Sequence, residues 1–215
     1  FQGQALSVAS VLTNMGMVGQ DQGDYDLAEG CYSEALAIQS ELGNDNGQAN
    51  LLGLIGTIAQ EQGDHSKAKL RYLASLDLHR SLGLSPAIVT PLDGLAYLAL
   101  AEGDLSEARS YWAECVAHTL TMEQPRFIVQ ALEGCACLAA AAGQALAAAR
   151  LWGAAANHRQ SIEAPLAPAL QAVQVAAQRQ AQVGCDLAAW QQAWEHGAAL
   201  SLEQAAAEAQ GDPRR

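Results

Sequence analysis

Histidine and cysteine are the residue types in this sequence that are best suited to hold a metal ion or to attack a substrate. Histidine occurs at His65, His79, His118, His158 and His196. No two of these are three or four residues apart, the spacing that places two ligands on one face of a helix. Cys135 and Cys137 are also badly spaced, because on a helix their thiols point about 200° apart. The sequence therefore predicts no metal site and no cofactor.

The cysteines indicate a reducing compartment. They are odd in number and widely scattered, at Cys31, Cys115, Cys135, Cys137 and Cys185. A disulfide framework needs a short secreted chain with paired spacings, so we expect reduced thiols, with Cys135 and Cys137 buried or half-buried. No basic-then-apolar signal peptide occurs, and no apolar run approaches about 18 residues. We therefore expect a cytoplasmic chain without a membrane association.

Two local signatures of catalysis or nucleotide binding are missing from the sequence. A phosphate-binding loop of the Walker type needs Gly-Lys-Ser/Thr before a helix, and many serine nucleophiles lie in Gly-x-Ser-x-Gly. Neither string occurs. A nucleophile whose base is brought near by folding would leave no such string. The sequence predicts that this chain is not an enzyme, and the enzyme alternative would be revived by a ligand bound in a groove.

Acidic residues outnumber basic residues. The chain has 23 Asp and Glu against 11 Lys and Arg, a formal net charge of −12, and residues 1–50 contain seven carboxylates and no Lys or Arg. Phosphate binding needs a basic stripe, so this segment is not expected to bind nucleic acid. Half of the residues are hydrophobic, mainly Ala and Leu, which excludes disorder and favours helix.

One pattern recurs every 40 residues. Glycine occupies Gly23, Gly63, Gly103 and Gly143. Five residues later stand Ala28, Ala68, Ala108 and Ala148. An aromatic residue follows at Tyr32, Tyr72, Trp112 and Trp152, and small residues precede at Gly16, Gly56, Ala96 and Ala136. So many columns in register identify four copies of one helical pair.

Each column has a structural role. Glycine suits the left-handed conformation that ends a helix, and the Asp after it can cap the next helix. The small residues let two antiparallel helices approach closely, and the aromatic residue fills the space between pairs. We predict helices near 4–21, 24–42, 47–62, 64–82, 87–102, 104–122, 127–142 and 144–162. After residue 163 the period stops, and helices are predicted at 165–183, 186–196 and 201–209, the first two closed by Gly184 and Gly197.

The predicted organisation follows from these elements. Residues 1–3 are expected to be a tag remnant, with the native protein extending further towards its N-terminus. Four repeats follow, at 4–43, 44–83, 84–123 and 124–163. Residues 164–210 are expected to cap the open apolar end of the stack, and residues 211–215 to form a tail.

These columns resemble the tetratricopeptide repeat, over residues 4–162 and with a longer period. The resemblance implies an all-α, right-handed superhelix of antiparallel helix pairs, in which the first helix of each pair lines a concave groove. Carried over onto this sequence, the positions favoured for a bound peptide are Thr13, Asn14, Met17, Asp21, Asn50, Leu54, Thr57, Glu61, Asp93, Tyr97 and Glu133.

Neither Lys nor Arg stands at the groove positions that the resemblance implies. Clamps of this family that hold a C-terminal carboxylate use Lys, Arg and Asn, so the expected partner here is a neutral or basic segment. Four carboxylates would supply a weak negative field, and Met17 and Tyr97 would supply apolar contact. Two alternatives are a solvated face and a groove filled by another part of the parent protein. The apolar edge of the first helix pair could also support self-association.

The segment from Arg150 has a second, narrower resemblance. Arg150-Leu151-Trp152-Gly153-Ala154-Ala155, followed by Trp194 and Gly197-Ala198-Ala199-Leu200, resembles the C-terminal end of large bacterial signalling proteins, the LuxR-type and AfsR-like regulators. In those proteins a STAND-type ATPase precedes long tetratricopeptide repeats. The resemblance implies a sensing arm of a transcriptional regulator, which contacts a protein, a peptide or another domain of its parent. A stand-alone adaptor or assembly scaffold is the alternative.

Overall fold

The computed structural model describes residues 2–83, 86–122, 124–163 and 168–211. Regular secondary structure within them is α-helix, with one short 3₁₀ helix at Pro86–Ile88. The α-helices are α1 (Gln2–Asp21), α2 (Tyr25–Glu41), α3 (Asp45–Glu61), α4 (His65–Leu82), α5 (Val89–Glu102), α6 (Leu105–Leu120), α7 (Pro125–Ala141), α8 (Ala145–Ser161), α9 (Pro168–Gln182), α10 (Leu187–Ala198) and α11 (Leu202–Gln210). They form two compact units, residues 1–95 and 96–215, whose boundary falls inside α5.

Every helix predicted for the four repeats is present close to its expected bounds, so the all-α fold of tetratricopeptide-like helix pairs is confirmed. The predicted helix 87–102 begins with a 3₁₀ turn and becomes α-helical at Val89. Gln2 and Gly3, expected to belong to a tag remnant, lie in α1. The predicted helix start at 165 and residues 212–215 of the predicted tail lie outside the described residues.

The Gly-Asp turns end the first helix of each pair and begin the second. At Gly23, Gly63, Gly103 and Gly143, φ is 74°, 79°, 81° and 75°, the left-handed region in which a side chain is strained. The Asp that follows the first three glycines accepts a hydrogen bond from the backbone N–H three residues on, at 3.1, 3.0 and 2.9 Å. In the fourth, fully described turn, the Gln144 side chain makes no capping bond. That turn therefore keeps its glycine and lacks a side-chain cap.

Aromatic rings of second helices pack on glycines of first helices in the first unit. Tyr72 of α4 lies between Gly56 of α3 and Gly94 of α5, and a Cβ at either glycine would overlap its ring. Tyr32 of α2 packs on Gly16 of α1 in the same way. Helices α1 to α4 pack in chain order, so each buries apolar residues against the next.

The second unit uses tryptophan for the same purpose. Trp112 of α6 lies against Gly134 of α7, and Tyr97 meets its ring edge-on with centroids 5.1 Å apart. Trp152 of α8 faces Trp190 of α10, with centroids 6.2 Å apart. This packing buries the indole rings of Trp112 and Trp152, and it joins α6 to α7 and α8 to α10.

The three C-terminal helices return onto the last helices of the repeats. Helix α9 packs on α7 and α8, α10 packs on α8, and α11 packs on α6, α7 and α8. Side-chain N-caps begin the last two helices, since Asp186 accepts from the Ala188 N–H and Ser201 forms a capping box with Gln204. The prediction that Gly197 ends its helix is wrong, since α10 continues to Ala198.

Gly197 lies inside α10 because two helix backbones touch there. A Cβ on Gly197 would overlap the main chain of Arg150 in α8, and a Cβ on Gly153 would overlap the main chain of Trp194. The overlapped atoms belong to backbone, which cannot move aside without separating the helices. This crossing therefore requires glycine on both helices.

We expect Gly197→Ala to destabilise the second unit by about 1–3 kcal/mol, because the added methyl group must push α10 away from α8. Urea unfolding followed by tryptophan fluorescence measures this, since all four tryptophans of the chain lie in the second unit. The matched control is Gly30→Ala in α2, whose Cβ would meet nothing within 4 Å. By circular dichroism, that variant should gain up to about 1 kcal/mol. A Gly197→Ala protein as stable as the parent would contradict the prediction.

Candidate functional site

The groove positions predicted on the first two repeats are accessible in the first unit. Among these positions, the exposed side chains are Asn14, Met17, Asp21 and Asn50. The half-buried ones are Thr13, Leu54, Thr57 and Glu61. Together they offer amides, hydroxyls, carboxylates and two apolar side chains. We call this set the first-unit groove.

A chain of hydrogen bonds holds one carboxylate of the first-unit groove. The Tyr32 hydroxyl donates to Gln20 Oε1 at 3.2 Å, and Gln20 Nε2 donates to both carboxylate oxygens of Glu61, at 3.2 and 3.3 Å. Burial raises the pKa of Tyr32 to about 12, with Asp21 and Glu61 adding to the shift. The hydroxyl therefore stays protonated at neutral pH. Because a carboxylate only accepts hydrogen bonds, Glu61 requires the NH₂ end of the Gln20 amide, and this leaves Gln20 Oε1 to accept from Tyr32.

The pKa of Glu61 is raised above 4.5, mainly by its partial burial and also by nearby Asp21, while the Gln20 hydrogen bond acts in the opposite direction. A carboxylate in this position is poorly solvated, and it gains from a cation that approaches it. Gln20 was not among the favoured site residues, because a glutamine at a helix end gives no sequence signal of the carboxylate that it will bind 41 residues away.

Thr57 has a structural role in addition to its place in the first-unit groove. Its hydroxyl donates to the Gly53 carbonyl oxygen at 3.2 Å and accepts from the Tyr72 hydroxyl at the same distance. Tyr72 also approaches Gln60 Oε1 at 2.8 Å. Burial raises the pKa of Tyr72, so its hydroxyl stays protonated. Thr57 therefore has little remaining capacity to bind a ligand.

The three predicted site residues on α5 and α7 are buried. Asp93 belongs to the first unit and Tyr97 to the second, where its ring packs on Trp112. Gly94 and Gly134, which occupy a groove column in the same register, are covered by the rings of Tyr72 and Trp112. Bulky rings placed next to glycine close this column, so these residues do not present a surface to a ligand.

Glu133 forms a buried ion pair. Its two carboxylate oxygens accept from Arg159 Nε at 2.6 Å and from Arg159 Nη2 at 2.5 Å, a bidentate arrangement between α7 and α8. The side chain of Glu133 is 5% exposed and that of Arg159 is 18% exposed. Arg159 neutralises the charge that Glu133 was expected to contribute to the groove.

Helix α7 is packed against a later helix of the same chain, α9. Gln174 of α9 is buried, and its Nε2 has no hydrogen-bond partner within the described residues. The alternative in which another part of the same protein fills the groove stays a prediction. Because the predicted site residues on α5 and α7 are buried, the open part of the predicted groove is the part in the first unit.

Metal and thiol chemistry finds little support in the described part of the chain. No group of three or more His, Cys, Asp and Glu side chains there could hold a metal ion. None of the five cysteines, which all lie in the described residues, forms a disulfide; four of them are buried, including Cys135 and Cys137, and Cys185 is half-buried. His158 Nε2 lies 2.9 Å from the Leu200 carbonyl oxygen, which connects α8 to the turn before α11. Among the described residues, no helix combines the length and the apolar composition needed to cross a membrane.

The burial of His79 in α4 was not predicted from the sequence. Its ring is fully buried, and neither nitrogen has a hydrogen-bond partner within the described residues. Burial lowers its pKa, so the ring is neutral at physiological pH. The equivalent residue of the next repeat, Thr119, is also fully buried in the structure.

Comparison with known proteins agrees with this architecture. Residues 7–81 match the tetratricopeptide repeat family. The crystal structure of BtubC (BKLC) from P. vanneervenii is similar, with a TM-score of 0.60 and 17% sequence identity over 74% of this chain and 66% of that chain. At this identity the likeness concerns the fold alone. No curated protein sequence matches this chain significantly.

We expect Arg159→Met to destabilise the second unit by about 3–5 kcal/mol, because it leaves the Glu133 carboxylate buried without a counter-charge. Replacing both partners, as Glu133→Leu with Arg159→Met, should bring the unfolding free energy back to within about 1 kcal/mol of the parent. Urea unfolding monitored by tryptophan fluorescence gives both values. If the single and double variants lose the same stability, the ion pair does not have the assigned role.

Proposed function

We propose that this chain is a protein-interaction module that binds a neutral or basic segment of a partner in the first-unit groove. Tetratricopeptide repeats generally mediate protein–protein interaction, and the family match lies over the first unit. The observation that carries the proposal is the contrast along the predicted groove. Its positions are accessible on α1 and α3, whereas on α5 and α7 the residues at these positions are buried.

The exposed groups favour a particular kind of occupant. Asn14 and Asn50 each offer an amide that can donate and accept, as the backbone of an extended peptide requires. Met17 and Leu54 offer apolar contact beside them. A segment with one or two apolar side chains and an accessible backbone matches this chemistry. It needs no secondary structure of its own.

Charge selects between peptides of this kind. Residues 2–61, which form α1 to α3, contain no Lys or Arg, so no cation within these helices competes for the carboxylates. Asp21 is exposed at the end of α1, and Glu61 is held near it by Gln20. A Lys or Arg in the partner would find both carboxylates, and the attraction would weaken with added salt.

Fluorescence anisotropy with labelled neutral, basic and acidic peptides of equal length tests this function. We expect the basic peptide to bind best and the acidic peptide worst. Asp21→Asn and Glu61→Gln should each weaken the basic peptide by about two- to fivefold and leave the neutral peptide unchanged. Asp26→Asn, an exposed carboxylate on α2 with the same change of charge, is the matched control. Equal or tighter binding of the acidic peptide would contradict the proposal.

The pH dependence of binding gives an independent result. Protonation of Glu61 removes a negative charge, so affinity for the basic peptide falls as the pH is lowered. Because the pKa of Glu61 is raised, the fall should begin at a higher pH than for an ordinary glutamate, whose pKa is about 4.5. In Glu61→Gln this part of the pH profile should be absent.

The resemblance of the C-terminal segment supports a more specific role, as the regulatory arm of a bacterial signalling or transcriptional regulator. The residues that carry the resemblance come together at the α8–α10 crossing, where Gly153 and Gly197 face the backbones of Trp194 and Arg150. The coding sequence upstream of residue 4 tests this role. A Walker-type phosphate loop there, with a DNA-binding or kinase domain, is expected. A start codon close by would favour the stand-alone adaptor.

A further inference from the structure

Helix α1 exposes an apolar stripe whose residues are not members of the first-unit groove, although it borders that groove. Val11, Met15 and Val18 are 57%, 48% and 53% exposed, although their spacing of four and three residues is that of a buried helix face. Residues 2–20 contain no charged side chain. A helix with this composition exposes apolar surface without the charges that keep ordinary exposed helices solvated.

The internal repeat shows what this stripe does in a stacked copy. Forty residues on, the same columns of α3 hold Leu51, Ile55 and Ile58, which are 2%, 2% and 0% exposed. They are covered by α2, the second helix of the preceding pair, in one apolar cluster. In the second unit, α7 buries the same columns where α6 packs on it. The α1 stripe therefore has the apolar composition of a helix face that packs against the second helix of a neighbouring pair.

The covering helix has a defined pattern. Helix α2 contributes Ala28, Tyr32 and Ala35 to the cluster, so two small residues flank an aromatic ring. The rings of Tyr72 and Trp112 each extend further, onto a glycine of the next first helix.

We propose that the α1 stripe is a second interaction surface, separate from the first-unit groove, and that it binds the second helix of another tetratricopeptide-like pair. The occupant is an amphipathic helix with the pattern small, aromatic, small at the spacing of α2. The α2–α3 interface within this chain supports the assignment. The residues of α3 that α2 covers are equivalent in the 40-residue register to those of the α1 stripe, and both sets are apolar. Apolar burial drives this binding, so it should depend little on salt.

The test extends the full chain with one further copy of residues 4–43, joined in the 40-residue register ahead of residue 4. Met15→Cys in the original α1 reports on the stripe through its rate of maleimide labelling. The background carries Cys185→Ser, since the other four native thiols are buried. In the extended chain we expect labelling at least about tenfold slower than in the parent, with a higher melting temperature.

Surface variants control for the acceptor side. Val11→Glu with Val18→Glu should leave the parent chain's melting temperature unchanged, because both side chains are exposed. In the extended chain the same pair should abolish the protection of Met15→Cys. Val173→Glu, an exposed valine in the second unit, should have no effect in either chain. Peptide binding in the first-unit groove should survive Val11→Glu, which separates this proposal from the proposed function.

Three results would overturn the proposal. The first is unchanged labelling of Met15→Cys in the extended chain, and the second is an added copy that gains no helix by circular dichroism, since its sequence already folds in this chain. The third is protection that rises with concentration in the parent chain, together with a dimer in sedimentation that the added copy does not displace. That result would make a second copy the occupant.

Discussion

The structure depends on one packing constraint. A large aromatic ring packs directly against glycine, which has no side chain to block it. Tyr72 is enclosed by Gly56 of its own pair and Gly94 of the following helix. A single helical pair cannot bury such a ring from both sides. The ring therefore requires the next helix to be present, and this requirement makes the pairs stack. Burial of the ring also raises the pKa of its hydroxyl, which stays a hydrogen-bond donor.

The same constraint decides where a ligand can bind. The glycine column that contacts the ring belongs to the helix face that lines the groove in the family. A glycine in this column therefore packs against the ring and is not available to a ligand. At Gly94 and Gly134 the ring occupies that space. In the first repeat the corresponding residue is Asn14, and it is exposed. Structural and functional use of this column exclude each other.

Periodic features could be predicted from the sequence, and contacts between non-equivalent elements could not. The turn glycines, the Asp caps and the aromatic columns repeat every 40 residues, and each repetition is independent support for the same local structure. The pairing of Glu133 with Arg159 and the return of α9 onto α7 occur once each. The type of a residue does not predict such a contact, because the residue that it will meet is determined only when the helices have packed. Gly197 was misplaced for this reason, since a helix-ending glycine and a helix-crossing glycine look alike in sequence.

A repeat also predicts the type of a residue more reliably than its exposure. Met15 and Ile55 fill the same column and are equally suited to a core, yet only the second has a helix packed over it. Exposure is decided by the neighbour, while residue type records the neighbour for which the column is suited. An apolar residue in register but exposed is thus informative in a way that a scattered surface valine is not. The equivalent column elsewhere in the same chain already displays the contact that it fits.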